Sequence, residues 1–153
     1  MHPITITKKK LPALLRQLGF EWDRKQQADD AANGARAFLP VGRDPWTFDQ
    51  AAVALFYLDQ RKASQTVKVA GAAAARLFRG ITDHPTADQL TVVALENGST
   101  SIHPTDSLDL STGYVGGGYV ATATMIDVRN LRARIQRAID SDAAIIGEDD
   151  DAE

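Results

Sequence analysis

The chain has 153 residues, of which 44% are hydrophobic and 24% are charged, and it contains no cysteine. This size fits one domain, or one domain with a small second part. The composition excludes a wholly disordered, collagen-like or membrane-spanning protein. The lack of cysteine excludes disulfides, thiolate zinc sites and cysteine nucleophiles.

The net charge of −3 is unevenly distributed along the sequence. Residues 1–81 carry 13 basic and 7 acidic side chains, whereas residues 82–153 carry 4 basic and 13 acidic ones. Such a split predicts a basic working surface in the first part and an acidic segment at the end. The alternative is that both halves have ordinary solvated faces.

The start of the sequence, MHPITITKKK, has no apolar run after its basic residues, which is unlike a secretory signal peptide. No stretch approaches the ~18–20 consecutive apolar residues of a membrane helix. We therefore expect a cytoplasmic protein without membrane contact.

Two short helices are predicted first. Leucines at helical spacing indicate a helix over Lys8 to Leu18, and Asp23 as N-cap begins a polar helix that runs to Asn33. A short strand over Ala35 to Val41 and a turn at residues 42–45 follow.

The third helix has the strongest start signal, because Thr47 and Gln50 match a capping box. A break at Ala63–Ser64 separates it from a fourth helix that ends at Gly80. The small residues Ala70 to Ala75, with Gly71 among them, predict that another backbone packs close to this helix.

Beyond residue 85 the pattern changes to strands. Asn97-Gly98 is a hairpin-turn signal, and a triple glycine at 116–118 predicts a second turn. A final helix over Asp127 to Asp140 has an apolar face, and residues 147–153 form a predicted disordered acidic tail. The predicted strands cover Leu90–Leu95, Ser99–His103, Ser107–Leu110 and Tyr119–Met125. The predicted fold class is α+β, with a helical winged-helix-like N-terminal part, a small antiparallel β-meander and a C-terminal helix.

The sequence lacks the residue patterns of common catalytic sites. The three histidines have no partner at metal-ligand helical spacing, and neither a GxSxG nor a Walker A motif occurs. The glycine-rich stretch 113–118 does not precede a helix, so it is interpreted as a hairpin rather than a phosphate loop. We therefore expect neither an enzyme nor a cofactor or metal site.

The N-terminal layout of two short helices followed by a strand and a turn is typical of a winged helix-turn-helix, which places one helix in the DNA major groove. The helix over Asp23 to Asn33 carries side chains that suit base edges and phosphates. Asp29 and Asp30 would repel phosphate unless they are turned away, so a merely polar surface helix is the alternative. The candidate DNA-binding residues are Arg24, Lys25, Gln26, Gln27, Arg36 and Arg43.

Three stretches of the first eighty residues, Leu14–Phe20, Gly34–Phe38 and Thr47–Leu55, resemble the DNA-binding domain of MerR-family regulators. In that family a short helix ends in a glycine-hydrophobic turn, and a glycine, a basic residue and an aromatic then form the wing. The resemblance implies that Arg24, Lys25, Arg36 and Arg43 contact DNA.

The sequence thus predicts a sequence-specific, double-stranded DNA-binding transcriptional regulator of bacterial or phage type. Its DNA-binding part would span residues 1–82. Residues 83–146, the β-meander with the last helix, would form a homodimer contact. One alternative is a protein-interaction module without DNA, an adaptor or antirepressor that acts through the basic face or the acidic tail at 147–153. A weaker alternative is a small-ligand domain with the meander as a pocket wall.

Overall fold

Five α-helices and six strands make up the computed structural model, which describes residues 4–141 and confirms the α+β class. The predicted acidic tail at 147–153 lies outside the described residues. In chain order the elements are β1 (Thr5–Ile6), α1 (Leu11–Gln17), α2 (Arg24–Asp30), β2 (Trp46–Thr47), α3 (Phe48–Lys62), α4 (Val67–Asp83), β3 (Gln89–Leu95), β4 (Thr100–Pro104), β5 (Tyr114–Val115), β6 (Gly118–Asp127) and α5 (Val128–Ser141).

The chain forms two compact units, which divide it differently from the predicted boundaries. The first unit comprises residues 4–78 together with 130–141, and the second comprises residues 79–129. The last helix therefore belongs largely with the N-terminal helices and not with the β-meander.

Two ion pairs and the burial of its apolar face hold α5 in the first unit. Arg132 Nε lies 3.0 Å from the carboxylate of Asp49, and Arg134 Nη1 lies 2.7 Å from that of Asp59. The predicted apolar face is correct, since Leu131, Ile135 and Ile139 are all at most 5% exposed. Because the single chain already buries this face, the prediction that α5 offers it to a dimer partner is wrong.

The core of the first unit is an aromatic cluster of Trp22, Phe38, Trp46 and Tyr57. The ring centroids of Phe38 and Tyr57 are 5.3 Å apart, and those of Trp22 and Trp46 are 6.0 Å apart. Leu11, Leu14 and Leu15 of α1 are fully buried in the same unit. Leu55 of α3 and Leu77 of α4 are also fully buried, whereas Phe78 is only half-buried.

One strand predicted in the first unit is wrong. Residues Ala35–Val41 are not a strand, because the chain bends sharply at Gly34 and Leu39 N donates to Arg36 O in the turn that follows. These turns place Phe38 in the aromatic cluster. The strand is instead β2, which pairs antiparallel with β1 through Thr5 and Thr47.

The close approach predicted from small residues is confirmed on α4. A Cβ atom on Gly71 would lie 2.4 Å from the carbonyl oxygen of Gly34, so only glycine fits there. Gly34 has a φ of +124°, a conformation that glycine adopts without steric cost. Gly80 does not end α4, which continues to Asp83.

The end of α3 is closed by backbone hydrogen bonds around Ser64. Gln65 N donates to Gln60 O at 3.1 Å, and Ser64 N donates to Arg61 O at 3.0 Å. This is the Schellman pattern, in which the residue after the C-cap adopts a left-handed conformation. Ser64 has a φ of +73°, although glycine is the usual residue at such a position.

The second unit is a four-stranded antiparallel sheet in the order β4-β3-β6-β5. The predicted hairpin turns at Asn97-Gly98 and Gly116-Gly117 are confirmed, with positive φ at all three glycines. The predicted strand Ser107–Leu110 is wrong. Ser and Asp side chains bond locally there, as when Ser111 Oγ donates to Asp109 at 2.6 Å, and such bonds compete with strand pairing.

Candidate functional site

Helix α2 presents most of the predicted DNA-binding residues, and it begins where the sequence indicated. Gln26 N donates to the Asp23 carboxylate at 2.8 Å, while Asp23 N donates to Gln26 Oε1 at 3.0 Å. This reciprocal capping box satisfies two backbone donors that a helix start leaves open. No residue of α2 is buried, and Arg24, Lys25 and Gln26 are exposed.

Both glutamines of α2 take part in the local fold. Gln26 closes the capping box with its Oε1 atom, and Gln27 Nε2 donates to the carbonyl of Trp22 at 3.1 Å. Each amide therefore has one atom engaged, and the described hydrogen bonds leave Gln26 Nε2 and Gln27 Oε1 unused. The sequence pattern gave no signal for the second of these contacts.

The Asp30 carboxylate is turned toward the interior. Its Oδ2 atom accepts hydrogen bonds from Trp22 Nε1 at 3.0 Å and from the Tyr57 hydroxyl at 2.8 Å. Burial, and then the hydrogen bond to Asp30, raise the pKa of the Tyr57 hydroxyl above its ordinary value. Asp30 thus does not oppose an anion on the outer face of α2, whereas Asp29 stays exposed.

Residues 36–45 contribute two further exposed cations, Arg36 and Arg43. The second lies in a tight turn in which Gly42 has a φ of +58° and Asp44 N donates to Val41 O at 3.1 Å. The ammonium group of Lys8 donates to the carbonyl of Gly42 and so connects the N-terminal basic run to this turn. The hydrogen bonds and ion pairs described for residues 4–141 do not connect Arg36 to this group.

A cleft of about 170 Å³ lies between these elements. Lys8 and Arg24 line it together with Gln27, and its apolar walls include Leu39 and Pro40. Trp46 is also a lining residue, although it is fully buried. The structure therefore brings Lys8 and Arg24 to one place, with Lys8 bonded to the residue that precedes Arg43.

The indole nitrogen of Trp46 is buried, and no acceptor for it exists among the described residues. Leaving such a buried donor unpaired costs about 1–3 kcal/mol. The other indole, that of Trp22, has the Asp30 carboxylate as its partner. Sequence reasoning missed the roles of Lys8 and Trp46. The Lys8–Lys10 run was a signal for the first, but none marked the second.

A cleft in the second unit has the opposite electrostatic character. It measures about 780 Å³ and is lined by Asp83, Asp88, Asp106 and Asp127, together with Arg129 and His84. Among residues 4–141, no three histidine or acidic side chains are grouped so that they could hold a metal ion. The Nε2 atom of His103 forms a hydrogen bond with the Ser101 hydroxyl at 2.7 Å.

Comparison with protein-family models, curated proteins and solved structures finds no match to this chain. Within residues 4–141, no helix combines the length and apolar character needed to cross a membrane. The functional argument below therefore depends on the chain's own residues.

Proposed function

We propose that this protein binds double-stranded DNA and acts as a sequence-specific transcriptional regulator of bacterial or phage type. The observation that carries the proposal is the gathering of basic residues from three separate segments. Lys8 and Arg24 line one cleft, and Lys8 bonds to Gly42 beside Arg43. A duplex presents closely spaced phosphates, which attract such a group of cations.

Three acids of the first unit support the same proposal through their positions. Asp30 is held by Trp22 and Tyr57, while Asp49 and Asp59 pair with arginines of α5. The two ion pairs offset negative charge that would oppose a phosphate backbone. Asp23, Asp29 and Asp44 stay exposed, but residues 1–81 keep a basic excess that is available to an outside anion.

In this proposal one set of side chains provides affinity for DNA, and another set provides sequence specificity. Arg24, Lys25, Arg36 and Arg43 are exposed and would contact phosphates, which position the protein without reading sequence. The unused amide atoms of Gln26 and Gln27 would contact base edges.

The test is a fluorescence-anisotropy titration of labelled random-sequence duplex at several salt concentrations. We expect weak binding with a steep salt dependence, and a slope reduced by about one in Arg24→Ala, Lys25→Ala, Arg36→Ala or Arg43→Ala for each lost phosphate contact. Arg137→Ala is the control for loss of a positive charge, because Arg137 is exposed on α5 and lies outside the segment 8–43 that carries the proposed contacts. Absence of binding at low salt would refute the proposal.

The edge of the sheet supports the proposed homodimer. One edge of β6 pairs with β3 along its length. On the opposite edge, β5 pairs only with Gly118 and Tyr119, so residues Ala121 to Met125 have no strand partner on that side among residues 4–141. All five of these residues are exposed. An exposed edge of this kind can pair with the same strand of a second copy around a two-fold axis.

Sedimentation velocity at micromolar concentration tests this contact. We expect a dimer for the wild-type protein and a monomer for Ala123→Pro, because proline lacks the backbone donor that strand pairing requires. Thr100→Pro, at the start of β4, is a control for general damage to the sheet. A wild-type protein that sediments only as a monomer would refute the dimer.

A protein-interaction module without DNA is the second candidate function, and the same edge of β6 favours it. Addition of a partner's strand to an open sheet edge is a common mode of peptide recognition. A wild-type protein that ignores duplex DNA while Ala123→Pro loses a protein partner would support this alternative.

A further inference from the structure

The cleft beside α2 is lined by the buried Trp46 and by two cations. Trp46 is 0% exposed, and its Nε1 atom lacks an acceptor among residues 4–141. Among the same residues, Lys8 and Arg24 are the charged ones that line the cleft, and no carboxylate does so. An unpaired donor in the same lining as two cations suits an acceptor that is itself negatively charged.

The cleft is large enough for a phosphate group. Its volume is about 170 Å³, whereas one water molecule needs only about 10–15 Å³ of such space. The cleft is also open to the surface on which the proposed DNA contacts lie, since Arg24 belongs to both.

We propose that the cleft holds one backbone phosphate of the bound duplex, with Trp46 Nε1 donating to a phosphate oxygen and with Lys8 and Arg24 pairing with its charge. This inference depends on the proposed DNA-binding function and assigns one contact within it. Because Trp46 Nε1 is buried, a long lining side chain must move to admit the phosphate. Lys8 can do so by exchanging the Gly42 carbonyl for the phosphate oxygen.

The two tryptophans of the chain provide a direct measurement. In ¹H–¹⁵N spectra each indole N–H gives its own signal, and Trp46→Phe assigns them. On addition of duplex DNA we expect the Trp46 signal to move downfield, as a new hydrogen bond to an anion requires. The Trp22 signal is the internal control, because its N–H already donates to Asp30. Parallel titrations with inorganic phosphate and with sodium chloride at equal ionic strength separate a phosphate group from salt in general.

Affinity measurements test Trp46 and Lys8 separately. Trp46→Phe keeps an aromatic ring but removes the donor, so we expect about tenfold weaker duplex binding with an unchanged salt slope. Lys8→Ala removes a charge and is expected to reduce the slope by about one, whereas Arg137→Ala is expected to change neither quantity. If Trp46→Phe does not fold, triple-resonance assignment of the wild-type indole signals and the Lys8→Ala titration still decide the question.

The outcomes distinguish this inference from the proposed function. Duplex binding with an unmoved Trp46 signal and wild-type affinity in Trp46→Phe would overturn the phosphate contact and leave DNA binding intact. A Trp46 signal that responds to inorganic phosphate, in a protein that does not bind duplex, would overturn the DNA-backbone assignment and identify a site for free phosphate. Movement of the signal with duplex, and loss of affinity in both variants, would support the inference.

Discussion

Replacing Gly71 by alanine should loosen the contact between α4 and the turn that follows α2. The added Cβ atom would lie 2.4 Å from the carbonyl oxygen of Gly34 and 3.1 Å from the Cα atom of Ala35. Ordinary van der Waals contact needs about 3.5 Å, so the two backbones must separate by about 1 Å. Neither of the clashing groups is a flexible side chain that could simply turn away.

Two opposing effects set the magnitude. Overpacking of this kind costs typically about 1–3 kcal/mol, and a clash with backbone belongs at the upper end. Alanine in place of glycine favours a helix by about 1 kcal/mol. We therefore expect Gly71→Ala to lower the free energy of unfolding by about 2 kcal/mol, even though the same change stabilises most helices.

Urea unfolding followed by tryptophan fluorescence is the appropriate assay, because Trp22 and Trp46 both lie in the unit that contains Gly71. Gly80→Ala is the matched control. Its Cβ atom would meet only the ends of the Ile102 and Leu90 side chains, the nearer at 2.7 Å, and these can shift. We expect a change within about 1 kcal/mol for the control, measured by circular dichroism. A Gly71→Ala protein as stable as the wild type would refute the close packing of α4 against residues 34–35.

Three further predictions follow from the same structure. Leu55→Ala should lower the free energy of unfolding by about 2–5 kcal/mol through lost burial and a cavity; a loss below about 1 kcal/mol in urea titrations would contradict this burial. Because the pKa of Tyr57 is raised in the folded protein, the stability from its protonated hydroxyl is present below about pH 10 and is lost as the pH rises further. The free energy of unfolding should hence fall more steeply from pH 10 to 12 in the wild type than in Tyr57→Phe, and equal slopes would argue against the raised pKa. Deleting residues 148–153, which hold five carboxylates, should tighten duplex binding most at low salt, where charge screening is weakest. Equal affinity with and without them at every salt concentration would exclude their competition with DNA.

Local signals in the sequence predicted much of the helical structure. The N-cap at Asp23 and the capping box at Thr47 and Gln50 depend on residues close in the chain, so the pattern alone identifies them. The hairpin turn at Asn97-Gly98 and the close approach at Gly71 could also be predicted, because each requires a specific residue type.

Several features that sequence reasoning missed depend on distant partners. Strands β1 and β2 are two residues long, and only their pairing with each other defines them. The orientation of Asp30 depends on Tyr57, 27 positions along the chain, and the Lys8 contact with Gly42 spans 34 positions. Propensity and periodicity carry no information on such contacts, so the charged group at the cleft could not be assembled from the sequence.

Replacing the left-handed Ser64 at the end of α3 by glycine should offset the stability that destabilising variants such as Trp46→Phe lose. A side chain in this conformation is strained by about 1 kcal/mol relative to glycine, and the backbone hydrogen bonds around it do not involve its hydroxyl. Ser64→Gly should therefore raise the midpoint of thermal unfolding without altering the cleft, since α3 separates the two. In that background, Trp46→Phe and Lys8→Ala would begin from a larger stability margin, and their effects on DNA binding would be measured on a fully folded protein.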